Sequence, residues 1–188
     1  MSFTNEDAEA YINKNLSHIN RLRRTVIALA TTQDILIYSK RLREVSETDA
    51  SIDAYRRVMD MEAFTTIIVI SYGRLFTESK GAPVFKRKLI PEHLLPVHDK
   101  IISLRHERYA HHGDHETVAA RLGLYVTEHE VKTTIHWNAT VHDGVPPQWL
   151  ELFQWLNNYI KGSFSKQLEY LNTTGKRWEN FDPVLAPR

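Results

Sequence analysis

Over most of its 188 residues the chain places apolar side chains three and four positions apart, and over one stretch it switches to every second position. A spacing near 3.6 puts apolar groups on one face of a helix, whereas a spacing of two puts them on one face of a strand. In residues 6–45 the helical set is Tyr11, Ile19, Leu22, Val26, Leu29, Ile35, Leu36 and Leu42, with Thr31 and Thr32 marking a candidate kink. A polar joint at 46–51 precedes a second helix over 52–79, carrying Tyr55, Met59, Ala63, Ile67, Ile70 and Phe76 and closed by Gly81-Ala82-Pro83. A third helix starts at Pro91-Glu92 and runs to Gly113, with Pro96 early enough to be tolerated. The last, over 148–171, turns Leu152, Trp155, Leu156, Tyr159, Phe164 and Leu168 inward.

The alternating stretch is Val131, Thr133, Ile135, Trp137, Ala139 and Val141, interleaved with Lys132, Thr134, His136, Asn138, Thr140 and His142. It predicts a half-buried strand, paired with residues 124–127 across a turn near His129 and following a short helical piece over 116–122. Residues 173–188 read as an extended arm. The expected architecture is mainly all-α: one domain over 1–188, an up-and-down four-helix bundle with a small β-hairpin inserted at about 124–142.

Composition narrows the function classes. Apolar residues make up 42% and charged residues 25%, as in globular chains, and the net charge of +1 gives no global attraction to nucleic acid. Any RNA contact must come from a local patch. The chain has no cysteine, so disulfides and thiolate metal sites are excluded. The acidic N-terminus lacks the pattern of a signal peptide, and the longest aliphatic run, Ile67 to Ile70, is far too short to span a bilayer. A cytoplasmic protein without a membrane segment is the expectation.

Chemistry concentrates at the end of the third helix. The row Leu94, Val97, Ile101, Leu104 continues into Arg108 and His111, and the row Leu95, His98, Ile102 continues into Arg105, Tyr109 and His112. Two apolar stripes thus turn polar at one end, where partial burial strengthens electrostatics. A purely structural account also fits: the helix dipole alone favours His111 and His112 before Gly113, and Asp60 or Glu62 are available to pair with Arg105 and Arg108.

The string Arg105-His106-Glu107-Arg108-Tyr109-Ala110-His111 resembles the signature of the HEPN superfamily, in which an arginine followed by a polar residue is separated from a histidine by four to six residues, five here. Ala110 before His111 and the His-Gly-Asp run after it are similar to the abortive-infection branch, and Ser71 to Thr77, which includes Arg74, is similar more weakly. The resemblance covers residues 52–114, and His106 stands where Asn is more usual. It implies a HEPN-like bundle that cleaves RNA without a metal or other cofactor, in a defence or toxin-antitoxin setting with an antitoxin partner. It assigns Arg105 to the phosphate, His111 to proton transfer and His106 to orientation, with His112, Arg108, Tyr109 and Arg74 in support. The products implied are a 2′,3′-cyclic phosphate and a 5′-hydroxyl.

These roles suit the residue types. Histidine titrates near neutral pH, and arginine offers a permanently charged planar fork matched to phosphate. On a regular helix Arg105 and His111 lie roughly 120° apart, so one copy does not focus both. A homodimer with a composite site is therefore expected, as the resemblance also implies; Arg105 and His112, seven apart, do share a face.

Two other readings stay open. A catalytically silent HEPN-like module would bind RNA, a nucleotide or a protein through the same residues. A metal-binding bundle would use His106, His111, His112, Asp114 and His115, although Gly113 interrupts simple helical pairing of His111 with His115. Lys86-Arg87-Lys88 and Arg21-Leu22-Arg23-Arg24 are weaker phosphate-contact candidates, since short basic runs are usually solvated faces. Trp149 and Trp155 read as core, while Trp137 becomes a base-stacking platform if exposed.

Overall fold

The computed structural model describes residues 5–48, 53–77, 84–109, 118–139 and 144–179, and only the backbone at 118–122 and 135–139. Within them the protein is mainly helical, with five α-helices and one two-stranded antiparallel sheet. The helices are α1 (Asn5–Lys14), α2 (Leu16–Ser46), α3 (Ala54–Arg74), α4 (Leu95–Leu104) and α5 (Pro147–Asn172); the strands are β1 (Val118–Val126) and β2 (Val131–Ala139).

Side-chain contacts fix the helix directions. Tyr38 meets Phe64 while Arg57 donates to the Val45 and Ser46 carbonyls, so α3 runs back along α2. Tyr72 meets His98 and Arg108 meets Glu62, so α4 and the turn after it run back along α3. Thr25 meets Gln167 and Thr32 meets Asn157, so α5 is antiparallel to α2. The result is the up-and-down arrangement expected of the four long segments. Ala28, Ile35, Ile68, Val69, Tyr72, Ile101, Leu152, Phe153, Leu156 and Ile160 are essentially inaccessible at its centre. Each large side chain there contributes about 1.5–3 kcal/mol of hydrophobic stabilisation.

The helix interruption falls at Asn15, not at Thr31 and Thr32. Asn15 is buried, and its side-chain amide donates to the Tyr11 carbonyl at 2.9 Å, competing with the helical backbone ladder. The two threonines sit inside α2, their hydroxyls bonded to Ile27 O and Leu29 O, and Thr32 also reaches Asn157 Oδ1 at 3.1 Å. The hydroxyls are satisfied on their own helix or on a neighbour, so the chain has no reason to break there.

Asp53 caps α3 by accepting from Arg56 N at 3.0 Å. That helix stops at Arg74, five residues short of expectation, as Phe76 turns into an aromatic group with Tyr72, Phe85 and His98, and Phe85 N donates to Leu75 O. The expected terminator at 81–83 lies outside the described residues. The α4 segment is entered through a 3-10 turn, Glu92–Leu94, and carries Pro96 in its first turn without disruption.

The hairpin is longer than its sequence suggested. Residues 118–122, expected to be helical, form half of β1, in register from Val118↔Ala139 to Val126↔Val131. Pairing with the alternating strand overrides a local helical pattern, as strand formation depends more on the cross-strand partner than on the segment itself. Thr127 closes the turn, its N donating to Glu130 O at 2.8 Å. Leu124, Tyr125, Val126 and Val131 are 60–68% exposed, so neither face is covered near the turn, in place of the half-buried strand expected. Residues 140–142, expected to continue the strand, lie outside the described residues, as does the side chain of Trp137. Trp149 is buried and Trp155 packs partly buried against the core, as expected of core residues.

Residues 173–179 do not extend away as an arm. The chain turns at Gly175, where φ is 94°, and Trp178 Nε1 donates to the Tyr11 hydroxyl at 3.0 Å while Thr174 Oγ1 lies 2.6 Å from the same oxygen. Residues 180–188 lie outside the described residues.

Candidate functional site

The hydrogen-bond ladder changes directly after the buried anchors Ile101 and Leu104, and Arg105–Tyr109 forms a π-helical turn. A π turn accommodates an extra residue relative to an α turn and recurs at functional sites. The 120° offset expected between Arg105 and His111 assumed a regular helix, so it does not carry over. Here the turn carries Arg105, His106, Arg108 and Tyr109 of the sequence-derived set, while His111, His112, Asp114 and His115 lie outside the described residues.

The two arginines, equivalent in sequence as candidates for carboxylate pairing, part company in structure. Arg108 donates to Glu62 Oε2 at 2.7 Å, its side chain only 2% exposed, and its guanidinium lies 4.9 Å from the centre of the Tyr109 ring. Arg108 is therefore held in a structural ion pair with α3. Arg105 makes no hydrogen bond or ion pair among the described residues, and its Nε is buried without a partner. A buried donor left unpaired costs about 1–3 kcal/mol, so such a group calls for an explanation.

Arg105 reaches this position because of Gly73 on α3. A Cβ at position 73 would lie 2.0 Å from Arg105 Cδ, 2.7 Å from Nε and 3.2 Å from Cγ. The arginine stem lies where any other residue's side chain would begin, so the glycine forms a bed for it. Gly73 lies within the weakly similar residues 71–77. Arg74, next to it, is exposed at the end of α3.

The Tyr109 hydroxyl is buried near Glu62, and burial, followed by the Glu62 charge, pushes its ionisation above the ordinary phenol range. Tyr109 thus stays protonated at any physiological pH. His106 is exposed on the outer side of the turn, and Glu107, also exposed, accepts from Ser103 Oγ at 2.5 Å. Among the described residues no three His, Asp or Glu side chains gather around a common point that would hold a metal ion, and of the alternative metal set only His106 is described.

Two turns back along α4, Tyr72 Oη and His98 Nδ1 are 2.7 Å apart in the core. Burial raises the tyrosine's ionisation and lowers that of the histidine, the latter opposed by Asp99 and reinforced by Arg87. Both groups are neutral at pH 7, an arrangement satisfied when the Tyr72 hydroxyl donates to an unprotonated Nδ1. Sequence reading counted His98 only as a stripe position; nothing in the sequence pairs it with Tyr72.

Of the basic run at 86–88, Arg87 is engaged. Its Nε and Nη2 donate to the two carboxylate oxygens of Asp99 at 2.8 and 2.6 Å, which holds Asp99 below the ordinary carboxylate range and raises Arg87. Lys86 and Lys88 are exposed on either side.

No family model, curated protein or solved structure matches the chain. The reading of the site therefore stands on its own residues. No helix among the described residues is long and apolar enough to cross a membrane.

Proposed function

We propose that the protein is a HEPN-like, metal-independent endoribonuclease acting in the cytoplasm, with Arg105 as the phosphate-binding cation and His111 as the acid-base group. The observation that carries this reading is Arg105 itself: a cation laid over Gly73 on a π turn, with no carboxylate partner among the described residues, whereas Arg108, whose Nε is likewise buried, has Glu62. A structural arginine is expected to look like Arg108, which is paired and buried. An arginine without an ion-pair partner among the described residues suits an anionic ligand, and its fork of donors matches the non-bridging oxygens of a phosphodiester.

In the proposed reaction a base takes the 2′-hydroxyl proton, the 2′-oxygen attacks the adjacent phosphorus, and the P–O5′ bond breaks as the leaving oxygen is protonated. The products are a 2′,3′-cyclic phosphate and a 5′-hydroxyl. Arg105 stabilises the charge gathering on the phosphate oxygens, His111 moves the protons, and His106 orients the scissile group from the exposed side of the turn. Two copies meeting at this turn would bring Arg105 of one near His111 of the other; a homodimer, with RNA as substrate and an antitoxin protein as regulator, belongs to the same proposal.

The test is cleavage of single-stranded and structured RNA in EDTA by the wild type, Arg105→Ala and His111→Ala. EDTA-resistant cleavage with cyclic phosphate ends, lost in both variants, is expected. Absence of cleavage by every form points to the silent binding module, and rescue only by added metal points to the metal-binding bundle.

A further inference from the structure

The seam between the N-terminal part of α2 and the C-terminal half of α5 carries a groove that the proposed reaction does not use. It consists of three adjoining cavities. One of about 320 Å³ shares Arg21, Ser163 and Gln167 with a second of about 360 Å³, and His18 and Tyr170 with a third of about 580 Å³. The cations along it are Lys14, Arg21, Arg24 and Lys166, all exposed, with the partly buried His18 among them.

Among the described residues no acidic side chain lines these cavities. From position 10 to 33 the chain has no Asp or Glu, and neither does α5 between Glu151 and Glu169. In a chain with 23 acids and a net charge of +1, this is a segregation of charge. None of the four cations makes an ion pair among the described residues, unlike Arg87, Arg108 and Arg177 elsewhere. The usual account of a short basic run, a solvated face balanced by neighbouring acids, therefore fits Arg21-Leu22-Arg23-Arg24 poorly.

The floor and ends supply the rest of a binding surface. Gln167 Nε2 donates to Thr25 Oγ1 and Ser163 Oγ, giving a fixed polar floor. Tyr170 is half exposed and packs on His18 at 4.5 Å between ring centres, and Tyr159, 40% exposed, stacks on Trp155 near the other end. Each tyrosine is thus braced by a second ring. Within α2 the six steps from His18 to Arg24 correspond to about 9 Å of helix, the span of about three stacked nucleotides at about 3.4 Å each.

We propose that this groove binds single-stranded nucleic acid without sequence preference, its cations on the phosphates and Tyr170 and Tyr159 under the bases. An open track with cations along its length and aromatic rings toward its ends suits a flexible polyanion with planar side groups. The site is separate from Arg105 and does not depend on RNA cleavage.

The test uses fluorescein-labelled oligo(dT), which has no 2′-hydroxyl and is not a substrate for the proposed cleavage, with fluorescence anisotropy as readout. The wild-type chain is expected to bind, and Arg21→Gln/Arg24→Gln/Lys166→Gln to bind about tenfold or more weakly. The slope of log Kd against log salt should fall by about 2, from three lost phosphate contacts at about 0.7 each. Tyr170→Ala is expected to weaken binding several-fold, and Arg41→Gln, an exposed cation paired with Glu44 toward the other end of α2, to leave it unchanged. All substituted cations are exposed, and an unaltered thermal transition verifies folding. Failure of the wild type to bind in low salt, or equal binding by the triple variant, would overturn the proposal. So would equal binding of inorganic polyphosphate with no effect of Tyr170→Ala, which would mark a charge-only site for another kind of polyanion.

Discussion

Gly73→Ala tests the geometry of the site without reference to catalysis. The new methyl would lie 2.0 Å from Arg105 Cδ, against the roughly 3.5–4.0 Å of an ordinary carbon contact, so the arginine stem must move by about 1.5 Å or more. The atoms concerned are the middle of the side chain, Cγ, Cδ and Nε, so rotating the guanidinium alone does not relieve the clash. Two effects oppose each other. Alanine favours the helix by about 1 kcal/mol over glycine, and overpacking costs about 1–3 kcal/mol. A net destabilisation of about 0–2 kcal/mol follows, a fall in Tm of up to about 8 °C for a chain of this size. The double-mutant cycle is more discriminating. With Arg105→Ala in place the obstacle is gone, and Gly73→Ala is expected to be neutral or stabilising by up to about 1 kcal/mol. The assay is thermal or urea unfolding of the four proteins. Additive effects of the two substitutions would refute the reasoning, because they would mean that the arginine does not occupy the space above Gly73.

Other perturbations follow from the same contacts. Glu62→Ala removes the carboxylate facing the buried Arg108 and is expected to cost about 2 kcal/mol, reduced from the value for a fully buried pair because Glu62 is 32% exposed; urea unfolding measures it. His98 has a folded-state pKa below its unfolded value, so the unfolded chain binds a proton that the native core resists. Stability is therefore expected to be full above the unfolded pKa of about 6.5 and to fall as pH drops below it. Thermal melts between pH 7.5 and 5 test this, with a flatter profile expected for His98→Gln. Trp178→Ala should speed amide hydrogen exchange in α1, which the tail holds through Tyr11, with little change in global Tm.

The long elements were legible because burial of a helix face writes its period into the sequence. Ile35 and Leu42 on α2 and Leu152 and Leu156 on α5 show that rule at work, whereas Val26, Tyr55, Met59 and Tyr159, which fit the same period and were expected on the inner faces, are exposed. What escaped depended on distant partners. Thr32 reads as a helix breaker until Asn157 is found opposite it, and residues 118–122 read as helical until β2 lies alongside. The site shows the same limit. Sequence singled out Arg105 and Arg108 together, but their difference resides in α3, where a glycine faces one and a glutamate faces the other. The π turn that separates them left no recognisable spacing. The basic groove had a readable sign, the acid-free stretch around Arg21-Leu22-Arg23-Arg24, yet only the antiparallel packing of α5 adds Lys166, Tyr170 and Tyr159 to it.

The central claim is that the Arg105 guanidinium waits for a phosphate. Its Nε–H, assigned by NMR through its disappearance in Arg105→Lys, reports on this directly during titration with a nucleoside 3′-monophosphate. A saturable shift of that resonance, retained when Arg21, Arg24 and Lys166 are replaced by Gln, is the predicted result. A resonance that stays in place up to millimolar nucleotide would contradict the account and return Arg105 to a structural role.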